Sequence, residues 1–182
     1  MSITLPSIDR DTTFLDRAIS FTVCEYVYDL CDAAASIVQD INRRGIDTSG
    51  LPSVFILDLA KKTVGDLYPR NMYADNDRLN EFEIRRFDER TSRKSVALVE
   101  SLYEKFTNPV IIDAVKNKNR DYFIKHFDEL VDTPFSLKPI KNMIKCNDMS
   151  EDDRDTLWEY LDCICHILNS REEFAQRHSI SI

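Results

Sequence analysis

Two cysteines and a histidine near the C-terminus have the residue types that could do chemistry. Cys163, Cys165 and His166 lie close together in the sequence, and thiolates and imidazoles are ligands that zinc prefers. If this segment is helical, however, Cys163 and Cys165 lie about 200° apart around the helix axis and cannot share one tetrahedral ion. A zinc site would also need ligands from elsewhere, such as Cys146 or His126. We therefore predict that both cysteines are packing residues and that the protein holds no metal.

His166 lies on the one polar strip of the same predicted helix. Asp162 precedes it by one helical turn, so the two side chains are neighbours on the helix surface. The simplest interpretation is an exposed ion pair, worth about 0.3–0.5 kcal/mol when the histidine is charged. The alternative is a pH-sensitive contact, because histidine titrates near neutral pH.

The chain lacks the sequence signatures of a catalytic nucleophile. None of the cysteines has a recognisable flanking motif, and no Gly-x-Ser-x-Gly elbow occurs. Gly-rich phosphate-binding and dinucleotide-binding loops are missing as well, since the chain contains only three glycines. We predict that the protein is not an enzyme and binds no cofactor. A cysteine–histidine nucleophile pair whose members are distant in sequence stays the open alternative.

The chain is acidic, with a formal net charge of −8. Phosphate binding needs a surplus of cations, so nucleic acid is a poor expected partner. One local cluster of bases lies in a predicted helix and consists of Arg85, Arg86, Arg90, Arg93 and Lys94. Acidic residues at positions 81, 83, 88 and 89 are interleaved with these bases, which is typical of a solvated, salt-bridged helix surface. We predict that the protein does not bind nucleic acid.

The distribution of apolar residues and cysteines bears on the compartment. The most apolar stretch, residues 18–38, is interrupted by Glu25, Asp29 and Asp32, which are costly near the centre of a bilayer, so we predict no membrane insertion. The N-terminal segment lacks the charged and apolar regions of a secretory leader. The five cysteines are odd in number. We expect them to be reduced thiols in a cytoplasm-like reducing compartment.

The elements that would position these side chains are all predicted to be helices. Glycine is scarce, and helices need the positive φ of glycine least. Apolar residues recur at helical spacing along most of the chain. We predict helices over residues 12–44, 53–67, 76–106 (with a break near Thr91), 109–116, 120–131, 136–146 and 150–169, with 170–177 as a continuation or a short final turn.

These elements predict an all-α fold, an irregular multi-helix bundle of about six to eight helices. The first helix is the longest and the most apolar, so we expect the others to pack around it. We assign residues 1–11 to an extended N-terminal lead-in, residues 12–177 to a single helical domain and residues 178–182 to a C-terminal tail. A chain of this length is sufficient to bury one hydrophobic core.

The closing helix is the most informative of these elements. Ser150 is its predicted N-cap, followed by acidic residues in the first turn, where the helix dipole favours them. Its apolar residues spread over most of the circumference, so it is either central to the core or buried on one side against another chain. Because aromatic residues are enriched at contact centres, the candidate protein-contact residues are Trp158, Tyr160 and Leu161. For Trp158 we favour core packing, since Leu161 and Leu168 continue its stripe.

The same helix carries a family resemblance. An acidic start, Ser150-Glu-Asp-Asp-Arg, leads into the core Leu157-Trp-Glu-Tyr-Leu161. The stretch from Ser150 to Leu168 resembles a pattern found in small helical proteins of nucleocytoplasmic large DNA viruses. It departs from that pattern in carrying two cysteines and a histidine where such sequences usually have Leu, Tyr or Ala. The resemblance implies a viral, non-enzymatic protein and transfers no catalytic residue.

We therefore predict a non-enzymatic structural or assembly protein that acts through contacts with other proteins, of the virion or of a host. The resemblance implies a minor capsid or virion component of a large DNA virus, located in the virion if the source is viral. Self-association into a homo-oligomer fits the same prediction. The alternative is a soluble regulatory adaptor that binds a host helix or peptide in a groove between its helices.

Overall fold

The computed structural model describes residues 13–127 and 137–182. This part of the chain forms nine α-helices and a short 3-10 helix, Asp75–Asp77, and contains no strand beyond a single bridge between Tyr73 and Leu79. The prediction of an all-α fold is confirmed. None of the helices described is both long enough and apolar enough to cross a membrane. The α-helices are α1 (Phe14–Arg43), α2 (Val54–Gly65), α3 (Glu81–Arg86), α4 (Glu89–Phe106), α5 (Pro109–Lys116), α6 (Arg120–Phe127), α7 (Lys138–Lys145), α8 (Glu151–Asn169) and α9 (Arg171–Arg177).

Local sequence sets both ends of α1. The Thr13 hydroxyl oxygen accepts a hydrogen bond from the Asp16 N–H at 3.2 Å, and the Asp16 carboxylate accepts one from the Thr13 N–H at 3.2 Å. This reciprocal capping box satisfies two backbone donors that have no partner within the helix. After the last turn, Gly45 takes a φ of 72°, which glycine adopts without steric cost. The helix predicted over residues 12–44 is confirmed.

α1 runs through the centre of the bundle. Phe21, Val27 and Leu30 on this helix are completely buried. The helices α2, α4 and α8 make most of the contacts with α1, and α3, α7 and α9 contact it as well. A helix that is apolar around most of its circumference can bury several sides at once. The predicted arrangement, a bundle around a long N-terminal helix, is confirmed.

The region predicted as a helix over residues 76–106 with a break near Thr91 is divided elsewhere. α3 ends at Arg86, and Phe87 has extended backbone angles, so the break lies at Phe87 and Asp88. The Asp88 carboxylate accepts a hydrogen bond from the Thr91 N–H at 2.8 Å and thereby caps α4. Phe87 packs edge-to-face on Phe21, with 5.0 Å between the ring centroids. The break lies here because it turns Phe87 towards the core.

The later helices lie close to their predicted positions. α5 has the predicted bounds, and α7 covers residues 138–145 of the predicted 136–146. Ser170 leaves helical geometry and separates α8 from α9, which brings the number of α-helices in the described part of the chain to nine rather than six to eight. The lead-in at residues 1–11, the predicted helix end at residue 131 and the helix start at residue 136 lie outside the described residues.

A buried arginine fixes the entry into α8. Arg154 is 4% exposed, and its guanidinium donates to the carbonyl oxygens of Ile144 at 3.2 Å, Cys146 at 2.8 Å and Met149 at 3.3 Å. Charge-assisted hydrogen bonds of this kind are stronger than neutral ones. Glu151 supplies the paired carboxylate, so the buried charge is compensated. Arg154 therefore holds the end of α7 and the following turn in place against α8.

The last residues extend the domain in part. The N–H of Ile180 donates to the Ala175 carbonyl oxygen at 2.9 Å, and its side chain packs against the core. Ser179 takes a positive φ of 54° to make this turn. Of the predicted C-terminal tail, the segment up to Ile180 is thus attached to the helical domain, and Ile182 is exposed.

Candidate functional site

Two of the three candidate contact residues lie inside the core of the chain. Trp158 is 2% exposed and Leu161 is fully buried, whereas Tyr160 is half-buried. The indole of Trp158 packs edge-to-face on Phe123 of α6, with 5.1 Å between the ring centroids. The core packing that sequence spacing favoured for Trp158 agrees with this burial, and neither Trp158 nor Leu161 presents surface to a partner.

The cysteines near the C-terminus occupy different environments. Cys165 is buried, and burial raises the pKa of its thiol to about 12. Cys163 is half-buried, and burial together with the nearby Asp162 carboxylate raises the pKa of its thiol as well. A protonated thiol is a poor nucleophile and a poor metal ligand. Within residues 13–127 and 137–182, no group of three or more His, Cys, Asp or Glu side chains is arranged to hold a metal ion.

His166 has a different ion-pair partner from the predicted one. Its Nε2 lies 3.5 Å from a carboxylate oxygen of Glu173 on α9, whereas sequence spacing predicted Asp162 on its own helix. Ser170 departs from helical geometry between α8 and α9, and Glu173 of α9 lies within reach of His166. Both side chains of the pair are about half exposed, so the contact is a weak surface pair, as expected for an ion pair in water.

Two bases of the cluster predicted to be salt-bridged pair with neighbouring acids. Arg85 forms an ion pair with Glu81 at 2.7 Å, and Arg93 forms one with Glu89 at 3.3 Å, each one helical turn apart. The Arg85 guanidinium also lies over the Phe14 ring, 4.7 Å from its centroid. Arg85 and Arg93 are therefore engaged in contacts within the chain, which agrees with a solvated, salt-bridged helix surface.

A polar groove with a volume of about 1130 Å³ lies between α1, α8, α9 and the segment around Tyr73. Carboxylates from two helices line it, namely Glu25 and Asp29 on α1 and Asp162 on α8. Arg177 at the end of α9 contributes a base. The groove is therefore a concave surface that carries charges of both signs, and it is formed by elements from both ends of the chain.

Glu25 is the most strongly perturbed carboxylate of this groove. Burial raises its pKa to about 7, and the nearby Asp29 carboxylate adds to the shift. The pKa of Asp29 is itself raised, first by burial and then by Asp32. Like charges in a partly desolvated place disfavour ionisation. The groove therefore changes its charge near neutral pH, while its thiol, Cys163, stays protonated.

The outer face of α2 carries a second distinctive feature, an exposed apolar patch. Phe55 is 74% exposed, Ile56 is 48% exposed and Leu59 is 54% exposed. Phe55 and Leu59 are one turn apart and therefore share a face of the helix. We refer to these three residues as the α2 patch. Single exposed apolar side chains are common, whereas three within two turns of one helix form an apolar patch on the surface.

The opposite face of α2 is firmly attached to α1. Leu57 and Val64 are buried, and the Lys61 ammonium lies 2.9 Å from the Asp32 carboxylate of α1. Gly65 permits the close approach of the two helices, because a Cβ atom at this position would lie 3.1 Å from Cε2 of Tyr28. The α2 patch therefore stands on a well-packed support and faces outward.

The α2 patch was not identified from the sequence, although a signal for it exists. The run Val54-Phe-Ile-Leu57 places four large apolar residues in succession within a predicted helix. In a helix, four successive residues point in four directions spread over about 300°. Such a run cannot bury all its members on one face, so at least one large apolar side chain has to point outward.

Comparison of the chain with protein-family models, with curated proteins and with solved structures found no match.

Proposed function

We propose that this protein is a non-enzymatic structural or assembly protein that acts through contacts with other proteins, and that the α2 patch is its contact surface. The observation that carries the proposal is the clustering of Phe55, Ile56 and Leu59 on the outer face of α2. A soluble chain that needed no partner at this face would gain solubility from polar residues there. The patch is therefore best explained by a partner that covers it.

The size of the patch bears on the kind of assembly. Burial of a Phe, Leu or Ile side chain contributes about 1.5–3 kcal/mol, so covering the exposed fractions of these three contributes about 4 kcal/mol. Association costs about 4–15 kcal/mol in lost freedom of motion. A single contact through the patch is therefore weak. Weak contacts suit a component that is held by several contacts at once within a particle.

The resemblance of residues 150–168 to small helical proteins of nucleocytoplasmic large DNA viruses supplies the setting of the proposal. In that setting the protein is a minor capsid or virion component. The raised pKa values of Cys24, Cys31, Cys163 and Cys165 support a non-enzymatic role, because these four thiols are not activated. A reducing compartment agrees with the free state of all the cysteines described.

A regulatory adaptor is the second candidate function, and the groove between α1, α8 and α9 favours it. Its volume of about 1130 Å³ suits a peptide or a helical segment better than a small metabolite. Under this alternative, the partner contacts Glu25 and Arg177 rather than the α2 patch.

Incorporation of variants into particles of the source virus tests the proposal. Phe55→Asp places a charge in the α2 patch, and Phe82→Asp is its matched control. Phe82 is 65% exposed, and both phenylalanines are the second residue of their helix, where an acidic residue is favourable. We expect mass spectrometry of purified particles to find Phe82→Asp at the wild-type level and Phe55→Asp strongly depleted.

Equal incorporation of both variants would contradict the use of the α2 patch. Loss of incorporation for Glu25→Gln and Arg177→Gln, with Phe55→Asp unaffected, would instead support the adaptor alternative. Circular dichroism of each purified variant should first establish that its helix content matches that of the wild type.

A further inference from the structure

The charges around the α2 patch differ from those of the chain as a whole. The protein carries a net charge of −8, so two copies repel each other over most of their surfaces. Residues 54–66 contain two acids, Asp58 and Asp66, and two bases, Lys61 and Lys62, and are neutral. Two copies that approach each other through this helix therefore repel each other less than they would through the rest of their acidic surface.

Lys62 and Asp58 are exposed next to the patch, where their charges can interact with a partner. Lys61 engages Asp32 at 2.9 Å, and it reaches Asp58 only at 3.6 Å. Among the ion pairs of the described residues, none involves Lys62. Asp58 is about half exposed and can accept a second cation. The rim of the patch thus offers one cation and one carboxylate that a partner can use.

Helical geometry makes this rim self-complementary. At about 100° per residue, Phe55, Leu59 and Lys62 fall within a stripe of about 60° on the outer face of α2. Asp58 flanks the same side of this stripe as Lys62. If a second α2 packs antiparallel, with a two-fold axis close to Ala60, midway between Asp58 and Lys62, equivalent flanks face each other. Asp58 of one copy then lies opposite Lys62 of the other, and the contact occurs twice.

The apolar residues match in the same arrangement. Leu59 packs near its own counterpart across the axis. Phe55 lies against the aliphatic stem and the ammonium of Lys62 in the second copy, where a cation–π contact adds to the burial. An apolar centre and two ion pairs at its rim are the usual anatomy of a protein interface.

We infer that the α2 patch binds the α2 patch of a second copy of this chain, in an antiparallel pair held by reciprocal Asp58–Lys62 contacts. The inference rests on the proposed function, because it names the partner of the same surface. One short helix per copy buries less than the roughly 800 Å² per partner of a stable interface. The pair is therefore a weak, concentration-dependent dimer, and higher local concentration within an assembly strengthens it.

Sedimentation velocity of the purified full chain over a range of concentrations tests the inference. We expect the wild type and Phe82→Asp to show a concentration-dependent dimer, and Phe55→Asp to stay monomeric. Asp58→Lys and Lys62→Asp should each weaken dimerisation by about tenfold or more, since each puts like charges opposite each other.

A mixture of Asp58→Lys and Lys62→Asp gives the decisive result. In a mixed pair, both facing contacts join opposite charges again, so the mixture should dimerise although each variant alone does not. No partner other than a second copy predicts such mutual rescue. High salt should weaken the mixed dimer, because its ion pairs lie at an exposed rim.

Two outcomes would overturn the inference. If the wild type is monomeric at the highest soluble concentration, or if the mixture shows no rescue, the partner of the α2 patch is not a second α2. The proposed function stands in that case if Phe55→Asp is still depleted from particles, since another protein then covers the patch. If Phe55→Asp behaves like the wild type in both experiments, the proposed function fails as well.

Discussion

The guanidinium of Arg171 lies 2.5 Å from the carboxylate of Asp16, and this contact joins the two ends of the described chain. Asp16 is 2% exposed at its side chain, and its other carboxylate oxygen accepts hydrogen bonds from the N–H and hydroxyl of Thr13. One buried carboxylate therefore caps α1 and holds α9. Because α9 forms part of the polar groove, the contact also shapes one of its walls.

Replacement of Arg171 should be strongly destabilising. Arg171→Met leaves the buried Asp16 carboxylate without its cation, which costs about 3–5 kcal/mol of unfolding free energy. Arg177→Met on the same helix is the control, because Arg177 and Glu173 form an exposed pair at 3.4 Å, and its loss should cost less than about 1 kcal/mol. Urea denaturation measures both values. Equal effects of the two substitutions would show that the Asp16 contact is no stronger than a surface pair.

Trp158→Ala should lower the stability of the isolated chain rather than weaken a contact with a partner. The indole is 2% exposed and packs on Phe123, so truncation should cost about 3–5 kcal/mol. Tyr160→Ala, on the half-buried face of the same helix, should cost clearly less. Thermal denaturation together with sedimentation velocity distinguishes core packing of Trp158 from contact with a partner. Unchanged stability with weaker association would show instead that Trp158 contacts a partner protein.

The titration of Glu25 should make stability depend on pH. Its pKa is about 7 in the folded protein and near its ordinary value of 4.5 in the unfolded chain, so the folded state binds the proton more tightly. The stability that this proton contributes is complete below pH about 4.5 and is lost as the pH rises through about 7.

Glu25→Gln removes this dependence and is the direct test. Above pH about 7 the variant should be more stable than the wild type by about 1 kcal/mol, after allowance for solvent screening of a half-exposed carboxylate. Below pH about 4.5 the two should be equally stable. Glu172→Gln, at an exposed position on α9, should follow the wild type throughout. Urea denaturation across this pH range would refute the shift if the Glu25→Gln and wild-type curves ran parallel.

The five cysteines should differ in their reactivity towards alkylating reagents. Cys24, Cys31 and Cys165 are buried, and burial raises the pKa of each thiol to about 12. Cys146 and Cys163 are half-buried. Iodoacetamide should therefore modify Cys146 and Cys163 first in the native protein and all five in urea, as counted by mass spectrometry. Modification of Cys165 as early as Cys163 would show that α8 opens readily.

Local interactions explain why the helices could be predicted from the sequence. The caps at Thr13, Ser53 and Ser150 each bond to a backbone N–H three residues ahead, and Gly45 ends α1 through its own φ. Such contacts involve residues within one turn of each other, so both partners lie close together in the sequence and can be recognised there. The scarcity of glycine and the recurrence of apolar residues at helical spacing are likewise visible without a structure.

The tertiary structure alone decided which side chains face the core and which face solvent. The spacing of Leu161 and Leu168 favours a core position for Trp158, but only the folded chain shows that Phe123, distant in sequence, packs on it. The break after α3 moved to Phe87 because Phe21 of α1 offers a packing surface. His166 pairs with Glu173 across the break in helical geometry at Ser170. Phe55 points outward because α1 covers only the opposite face of α2. Burial depends on elements that meet only in the folded chain, whereas hydrogen bonds within a helix depend on neighbours four residues away.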